Sequence, residues 1–204
     1  AREKAKAAAC LSNTKQIAIA VAMYTNDYDG RYPFSWAYDW SYRWFEEQCL
    51  QAYVKNWQVL VCPATKPWTS WGVLYNRTTY SYNCYFGWHY DPAVNHPAYQ
   101  GVSESDVPRP AEKILILDAT PIKVFYTNYY SSADYGSYYS FQFSEWNWYS
   151  AYLPTYVQSE SEYRKAFLHN GGINAVFADA HAKWKSGRDL MGDANAHAHF
   201  WPLD

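Results

Sequence analysis

The most regular apolar pattern in the chain lies in its first 28 residues. Cys10, Thr14, Ile17, Val21, Tyr24 and Tyr28 recur at alternating spacings of four and three, which places them on one stripe of a helix. Lys4, Asn13, Gln16 and Ala20 fall largely outside that stripe. Ala is dense, neither Gly nor Pro interrupts the run, and Asp29-Gly30 followed by Pro33 supplies a stop, so residues 1–28 are predicted as one helix. A stripe of this composition packs a core rather than holding a ligand. A shorter helix is predicted over Ser41 to Val54, with Trp44, Phe45, Cys49 and Tyr53 turned inward.

Beyond residue 54 the apolar runs shorten. Gln58–Cys62 reads as a strand ended by Pro63, and Thr79–Phe86 as a second ended by Gly87. Residues 87–112 are rich in Pro and polar groups and read as a long surface excursion. Lys113-Ile-Leu-Ile-Leu-Asp118 is apolar between its ends and predicts a central strand covered on both faces. Residues 126–156 mix Tyr with Ser, Asn and Gly; they are too aromatic for a disordered linker and are expected to form an insertion of strands and loops on the solvent side. Gly171-Gly172 then opens Ile173–Ala178, Asp179-Ala180 turns the chain, and His181–Lys185 returns as a partner strand, a compact antiparallel hairpin. A helix first and strands later, without βαβ alternation, makes the class α+β. The length suits one domain over 1–204: a helix at 1–28, a sheet core at 29–125 and 157–188, the insertion at 126–156 and a tail at 189–204.

Composition changes this picture in one respect. Aromatic residues make up 21% of the chain, with 22 Tyr and 11 Trp, more rings than a core of this size buries. Tyr129, Tyr130, Tyr138, Tyr139, Trp146 and Trp148 are therefore candidates for assembly or interaction contacts. Charge points away from nucleic acid: the net charge is -2, and basic residues are scattered apart from Arg2, Lys4 and Lys6, which read as a solvated helix face. No apolar run approaches the ~20 residues needed to cross a membrane. The sequence opens on Ala rather than Met, which is expected of a processed chain or a soluble fragment.

Cys10, Cys49, Cys62 and Cys84 are an even set with no Cys-x-x-Cys pair, so two disulfides in an oxidising compartment are favoured over zinc ligation or four buried thiols. Spacing leaves three connectivities open. Asn76-Arg-Thr is a glycosylation sequon. Asp118, His169, Asp179 and His181 are the candidate metal set: imidazole and carboxylate suit zinc, and carboxylates with carbonyls around the Asp179 turn suit calcium. The structural alternative is a hydrogen bond between His169 and Asp179 across the base of the hairpin. His197 and His199 are two apart and would share one face of a strand, although a partner contact or no role at all is the plainer reading of such a tail. The sequence contains no Gly-x-Ser-x-Gly, no phosphate-cradling Gly loop and no His-Glu-x-x-His, and the carboxylate pairs Glu46-Glu47 and Glu160/Glu162 read as solvated faces, so no catalytic residue and no required cofactor is assigned.

Two stretches carry a family resemblance. Residues 1–33, from Ala-Arg-Glu-Lys-Ala-Lys through Met23-Tyr to Asp27-Tyr-Asp-Gly-Arg-Tyr-Pro33, resemble the exposed half of the first helix in bacterial type IV pilin-like and type II secretion pseudopilin-related proteins, the prepilin-type proteins of planctomycetes and their allies. His169-Asn-Gly-Gly-Ile-Asn-Ala-Val-Phe-Ala-Asp-Ala-His-Ala-Lys-Trp184 is similar to that family's C-terminal signature, a His, nine residues, then Asp-Gly. Val61-Cys-Pro63 and Ile114–Asp118 fall where the family has a Cys-Pro and a strand ending in Asp.

The resemblance implies a long helix packed on an antiparallel sheet, with disulfides 10–62 and 49–84. It also implies a structural role: a subunit of an extracellular or cell-surface filament, partnered by copies of itself and assembled through its aromatic-rich surfaces. A surface adhesin or carbohydrate-binding module stacking glycans on exposed Tyr and Trp is the alternative, and a metal-dependent enzyme a remote one. The sequence departs from the family twice. Ala180 stands where the family has Gly, so the turn is expected to avoid a positive φ or to lengthen. The apolar half-helix that anchors prepilins is not among these residues, which shifts the expected assembly surface to the Tyr/Trp-rich middle.

Overall fold

A computed structural model of the protein describes residues 2–34, 49–64, 78–87, 89–91, 96–98, 101–118, 124–132, 136–144, 150–152 and 169–186. It is an α+β arrangement in which one long N-terminal helix, α1 (Arg2–Asp27), packs on an antiparallel sheet. Two short helices, α2 (Gln51–Val54) and α3 (Cys84–Gly87), three 3-10 turns and nine strands complete the described elements.

The sheet core is β1 (Tyr80–Asn83), β4 (Ile114–Asp118), β8 (Gly172–Phe177) and β9 (Ala182–Ser186), antiparallel at every step. β4 lies between β1 and β8, and all five of its residues are buried, as its unbroken apolar run predicts. The sheet continues past β1 through β5 (Val124–Ser132), β6 (Gly136–Ser144) and β7 (Ser150–Tyr152). β5 joins β1 in parallel and pairs antiparallel with β6, so residues 124–152 extend the main sheet rather than standing apart from it. β2 (His89–Asp91) and β3 (His96–Ala98) form a separate two-stranded ribbon.

The α1 stripe packs as its spacing predicts at Cys10, Thr14, Ile17, Val21 and Tyr24, but the buried face is wider than that stripe. Ala18, Ala20 and Thr25 are buried too, giving an arc of roughly 160° at ~100° per residue. The reason is that α1 packs not only on β8 and β9 but also against α2 and the segment Trp57–Leu60. Ala20, predicted outside, is one of the residues this wider face buries. Tyr28 is instead 47% exposed, because it lies beyond the last helical residue and stacks on Tyr24 rather than on the sheet.

Three further expectations are corrected. Gln58–Cys62 does not form a strand: Trp57–Leu60 is a 3-10 turn, started by Asn56, whose side chain accepts the Gln58 N–H. The predicted strand Thr79–Phe86 is β1 for four residues and then turns into α3. Residues 87–112 are not wholly a surface excursion, since Gly101, Val102 and Val107 are buried. Tyr32 N–H donates to Val102 O and Val102 N–H to Phe86 O, stitching that segment into the core. Of the predicted second helix, Cys49 is buried, whereas Trp44 and Phe45 lie outside the described residues.

The β8–β9 hairpin turns through Ala178, Asp179 and Ala180. Ala180 N–H donates to Phe177 O, Phe177 N–H donates to His181 O, and Ala180 sits at φ 61°. That is a type I turn closed by a left-handed residue, the three-residue hairpin whose last position favours Gly. The turn therefore does not avoid the positive φ at Ala180; it keeps the geometry and strains an alanine.

Candidate functional site

The candidate residues fall into two pairs, not one cluster. Asp118 ends β4 and His169 precedes β8, while Asp179 and His181 lie just beyond the other end of β8. A six-residue strand at about 3.3 Å per residue holds the pairs roughly 20 Å apart. One ion therefore does not bridge all four residues, and His169 hydrogen-bonds Asp118 rather than Asp179.

The buried pair is built by strand register. β4 and β8 align Leu117 with Ala175, which brings the Asp118 carboxylate to Asn174. Asp118 Oδ1 accepts the Asn174 backbone N–H and Oδ2 accepts its side-chain Nδ2, both at 2.7 Å. His169 Nε2 lies 2.8 Å from Asp118 Oδ2. The imidazole is placed by an Asn170-Gly171 turn, with φ of 54° and 77°, in which His169 and Gly172 exchange both backbone hydrogen bonds. This is the two-residue hairpin turn that Asn-Gly favours. Trp184 Nε1 on β9 donates to His169 O and covers Gly172, where a Cβ would fall 2.5 Å from the indole ring.

The third component is sulfur. Cys10 of α1 and Cys62 form a disulfide with a Cα separation of 5.1 Å, and Cys62 Sγ is 3.5 Å from His169 Nε2. Cys10, Cys62, Asp118 and His169 are all buried, and one ligand-capable atom from each lies within 4.8 Å of the others. Tyr80, paired with Asp118 across the β1–β4 ladder, donates its hydroxyl to Cys10 O. Burial raises the Asp118 carboxyl above the usual carboxylate range, and the hydrogen bonds from His169 and Asn174 oppose that rise. Burial, with the Asp118 charge nearby, also raises the Tyr80 phenol.

The second pair is exposed by about a third. His181 Nδ1 bonds Asp179 Oδ1, which also accepts the His181 backbone N–H, and the imidazole stacks on Phe177 with centroids 4.2 Å apart. These contacts shape the turn. Among the described residues neither Asp179 nor His181 belongs to a group of three or more potential metal ligands.

Asn174 is the member of the buried site that residue type does not single out, and Cys10 and Cys62, expected as a disulfide, are brought to the Asp118–His169 pair. Asn174 carried a signal: a lone polar residue inside Ile173–Phe177 needs a buried partner, as does an Asp at the end of an apolar strand. Of the aromatic candidates, register sets Tyr129 opposite Tyr139 and Tyr130 opposite Tyr138 on β5 and β6. Trp146, Trp148, Asn76, His197 and His199 lie outside the described residues, as does the Cys84 side chain, so the 49–84 pairing is not described.

The profile of a family described as a protein of unknown function (DUF1559, SBP_bac_10) matches residues 1–173. It spans α1 and both cysteines of the disulfide but stops inside the stretch 169–184, so it does not reach Asp179-Ala180. No curated protein and no solved structure matches the chain significantly. No described helix is long and apolar enough to cross a membrane.

Proposed function

We propose, from the premise that the chain belongs to this family, which is associated with pilin-like proteins, that it is a non-catalytic structural subunit of a filament on the cell surface or outside the cell. The observation that carries the reading is the two-sidedness of α1. One face is clamped between the sheet and the α2 segment. The opposite face presents Ile19, 61% exposed, and Met23, 47% exposed, one helical turn apart. Single exposed apolar residues are ordinary on a surface. A pair in register on the outer face of a helix pinned by a disulfide is a suitable contact for a second copy of the chain. The Tyr/Ser ladder of β5 and β6 is the second candidate surface, in keeping with the wet, adaptable contacts Tyr makes.

The test is electron microscopy of the native surface material and of the purified full chain. Filaments with a regular rise are expected. They should be lost in Ile19→Glu/Met23→Glu while far-UV circular dichroism stays unchanged. Monomers in both preparations would overturn the reading, and glycan-array binding by those monomers would move the function to an adhesive module.

A further inference from the structure

We propose that the buried site has a second state: when the Cys10–Cys62 disulfide is reduced, Cys10 Sγ, Cys62 Sγ, His169 Nε2 and Asp118 Oδ2 form a tetrahedral zinc centre. This goes beyond the filament reading and does not depend on it. The four ligands come from α1, the segment after the 3-10 turn, the end of β4 and the turn before β8, and they already converge within 4.8 Å.

Reduction lets the two sulfurs part toward the roughly 3.8 Å edge of a zinc dithiolate, and the edges at His169 suit the ion. With zinc–nitrogen and zinc–oxygen bonds of about 2.0 Å and zinc–sulfur bonds of about 2.3 Å, a tetrahedron has N···S edges of about 3.5 Å and N···O edges of about 3.3 Å. The His169 Nε2 to Cys62 Sγ distance is already 3.5 Å. The His169 to Asp118 distance of 2.8 Å has to open by about half an ångström, within the play of a carboxylate at the end of a strand. Asn174 supplies the outer support such sites require, holding Asp118 through two hydrogen bonds. Two thiolates with an imidazole select zinc over calcium or magnesium, which prefer all-oxygen sites. The ion also meets a need of the reduced state, in which two thiols, an imidazole and a carboxyl group otherwise share a dry volume.

The chemistry balances with a named reductant. A phosphine takes one oxygen from water and becomes its oxide, and the disulfide gains two electrons and two protons to give two thiols. Zinc displaces those two protons to solvent, and the proton that His169 Nε2 shares with Asp118 has to leave as well, by a shift of the neutral imidazole to its Nδ1–H tautomer, which frees Nε2 and the carboxylate to bind. A disulfide oxidant reverses the process: it withdraws two electrons from the thiolates, re-forms the Cys10–Cys62 bond and releases the ion. In the disulfide state Cys10 fastens α1 to the segment after the 3-10 turn, and in the zinc state it is tied in addition to Asp118 at the end of β4, so the chain has a folded form both before and after oxidation.

The experiment uses the full chain, unfolded, reduced with a phosphine and refolded anaerobically with zinc or cobalt(II), then freed of unbound metal by gel filtration. One ion per reduced chain and none per disulfide-bonded chain are expected, and the cobalt form should show thiolate-to-metal charge-transfer absorption. Asp118→Ala and His169→Ala should each weaken binding at least tenfold. Because either variant risks misfolding, a second readout uses the unaltered chain: zinc should slow alkylation of Cys10 and Cys62 by iodoacetamide at least tenfold. A folded reduced chain without stoichiometric metal, alkylation indifferent to zinc, or an ion retained in Cys10→Ser/Cys62→Ser would each overturn the proposal.

Discussion

His169 Nε2 lies 2.8 Å from Asp118 Oδ2 with both side chains essentially inaccessible to water, and that contact joins the end of β4 to the turn that launches β8. Removing one partner of such a pair strands the other. Asp118→Ala would leave His169 Nε2 and the Asn174 N–H and Nδ2 groups without their acceptor, and is expected to cost about 3–5 kcal/mol in urea unfolding. A loss under about 1 kcal/mol would mean that water or a neighbour takes over the role of the carboxylate.

The same carboxyl gives a pH dependence whose sign is set. Burial raises the folded-state pKa of Asp118 above its unfolded value near 3.8, so the protonated form favours the folded state. That contribution is complete below the unfolded value and is lost as pH rises through the folded one. Asp118→Asn cannot titrate. The stability margin of the native chain over Asp118→Asn should therefore shrink between acidic and neutral pH, measured as the difference of two unfolding curves at each pH. A margin that widens as pH rises would reverse the assignment and make the ionised pair with His169 the stabilising form.

The Cys10–Cys62 bridge closes a loop with a sequence separation of 52 residues. Restricting the unfolded chain over that span is worth about 4 kcal/mol on the loop-entropy relation. Cys10→Ala/Cys62→Ala, studied with a chelator present, should lose stability of that order, seen as a lower denaturant midpoint with a steeper slope, because the unfolded chain without the cross-link exposes more surface. The loss should concentrate on α1, whose amide hydrogens are expected to exchange faster than those of β4.

Gly101 leaves no room for a side chain. A Cβ there would fall 1.8 Å from the Tyr32 carbonyl oxygen, and the obstacle is backbone. Tyr32 cannot easily retreat, because its N–H donates to Val102 O, its hydroxyl donates to Ala178 O at 2.9 Å, and its ring meets Phe86 edge-on. Gly101→Ala is expected to cost about 2–3 kcal/mol or more and to lower the thermal midpoint accordingly. An unchanged midpoint would show that the 101–103 segment can slide off Tyr32.

How much of this was legible from residues alone depended on the range of the interactions. α1, the central strand at Ile114–Asp118 and the final hairpin follow from local periodicity and turn residues, and all three are present. The 3-10 turn at Trp57–Leu60 was not legible, because its apolar run fits a strand equally well and one side-chain cap at Asn56 decided the outcome. Nor was the parallel pairing of β1 with β5, which joins positions some forty residues apart. At the site, residue type picked out Asp118 and His169 and grouped them with Asp179 and His181 on ligand chemistry alone. Strand length separates the two pairs, and only the β4–β8 register brings Asp118 to Asn174 and His169. The resemblance supplied the 10–62 pairing; cysteine spacing did not.

Ala180 offers the sharpest test of the local geometry. Its φ of 61° is left-handed, where a Cβ crowds the following carbonyl at a cost of roughly 1–2 kcal/mol. Glycine removes that strain but adds about 0.4–1 kcal/mol of freedom to the unfolded chain. The balance favours Ala180→Gly by about 0.5–1 kcal/mol, read as a higher denaturant midpoint. Ala180→Val should move the opposite way, since a β-branched residue tolerates positive φ worse than alanine. If glycine destabilised the chain instead, the turn would have to open in solution to a form in which residue 180 is no longer left-handed, and the hydrogen bonds from Ala180 N–H to Phe177 O and from Phe177 N–H to His181 O would be lost with it.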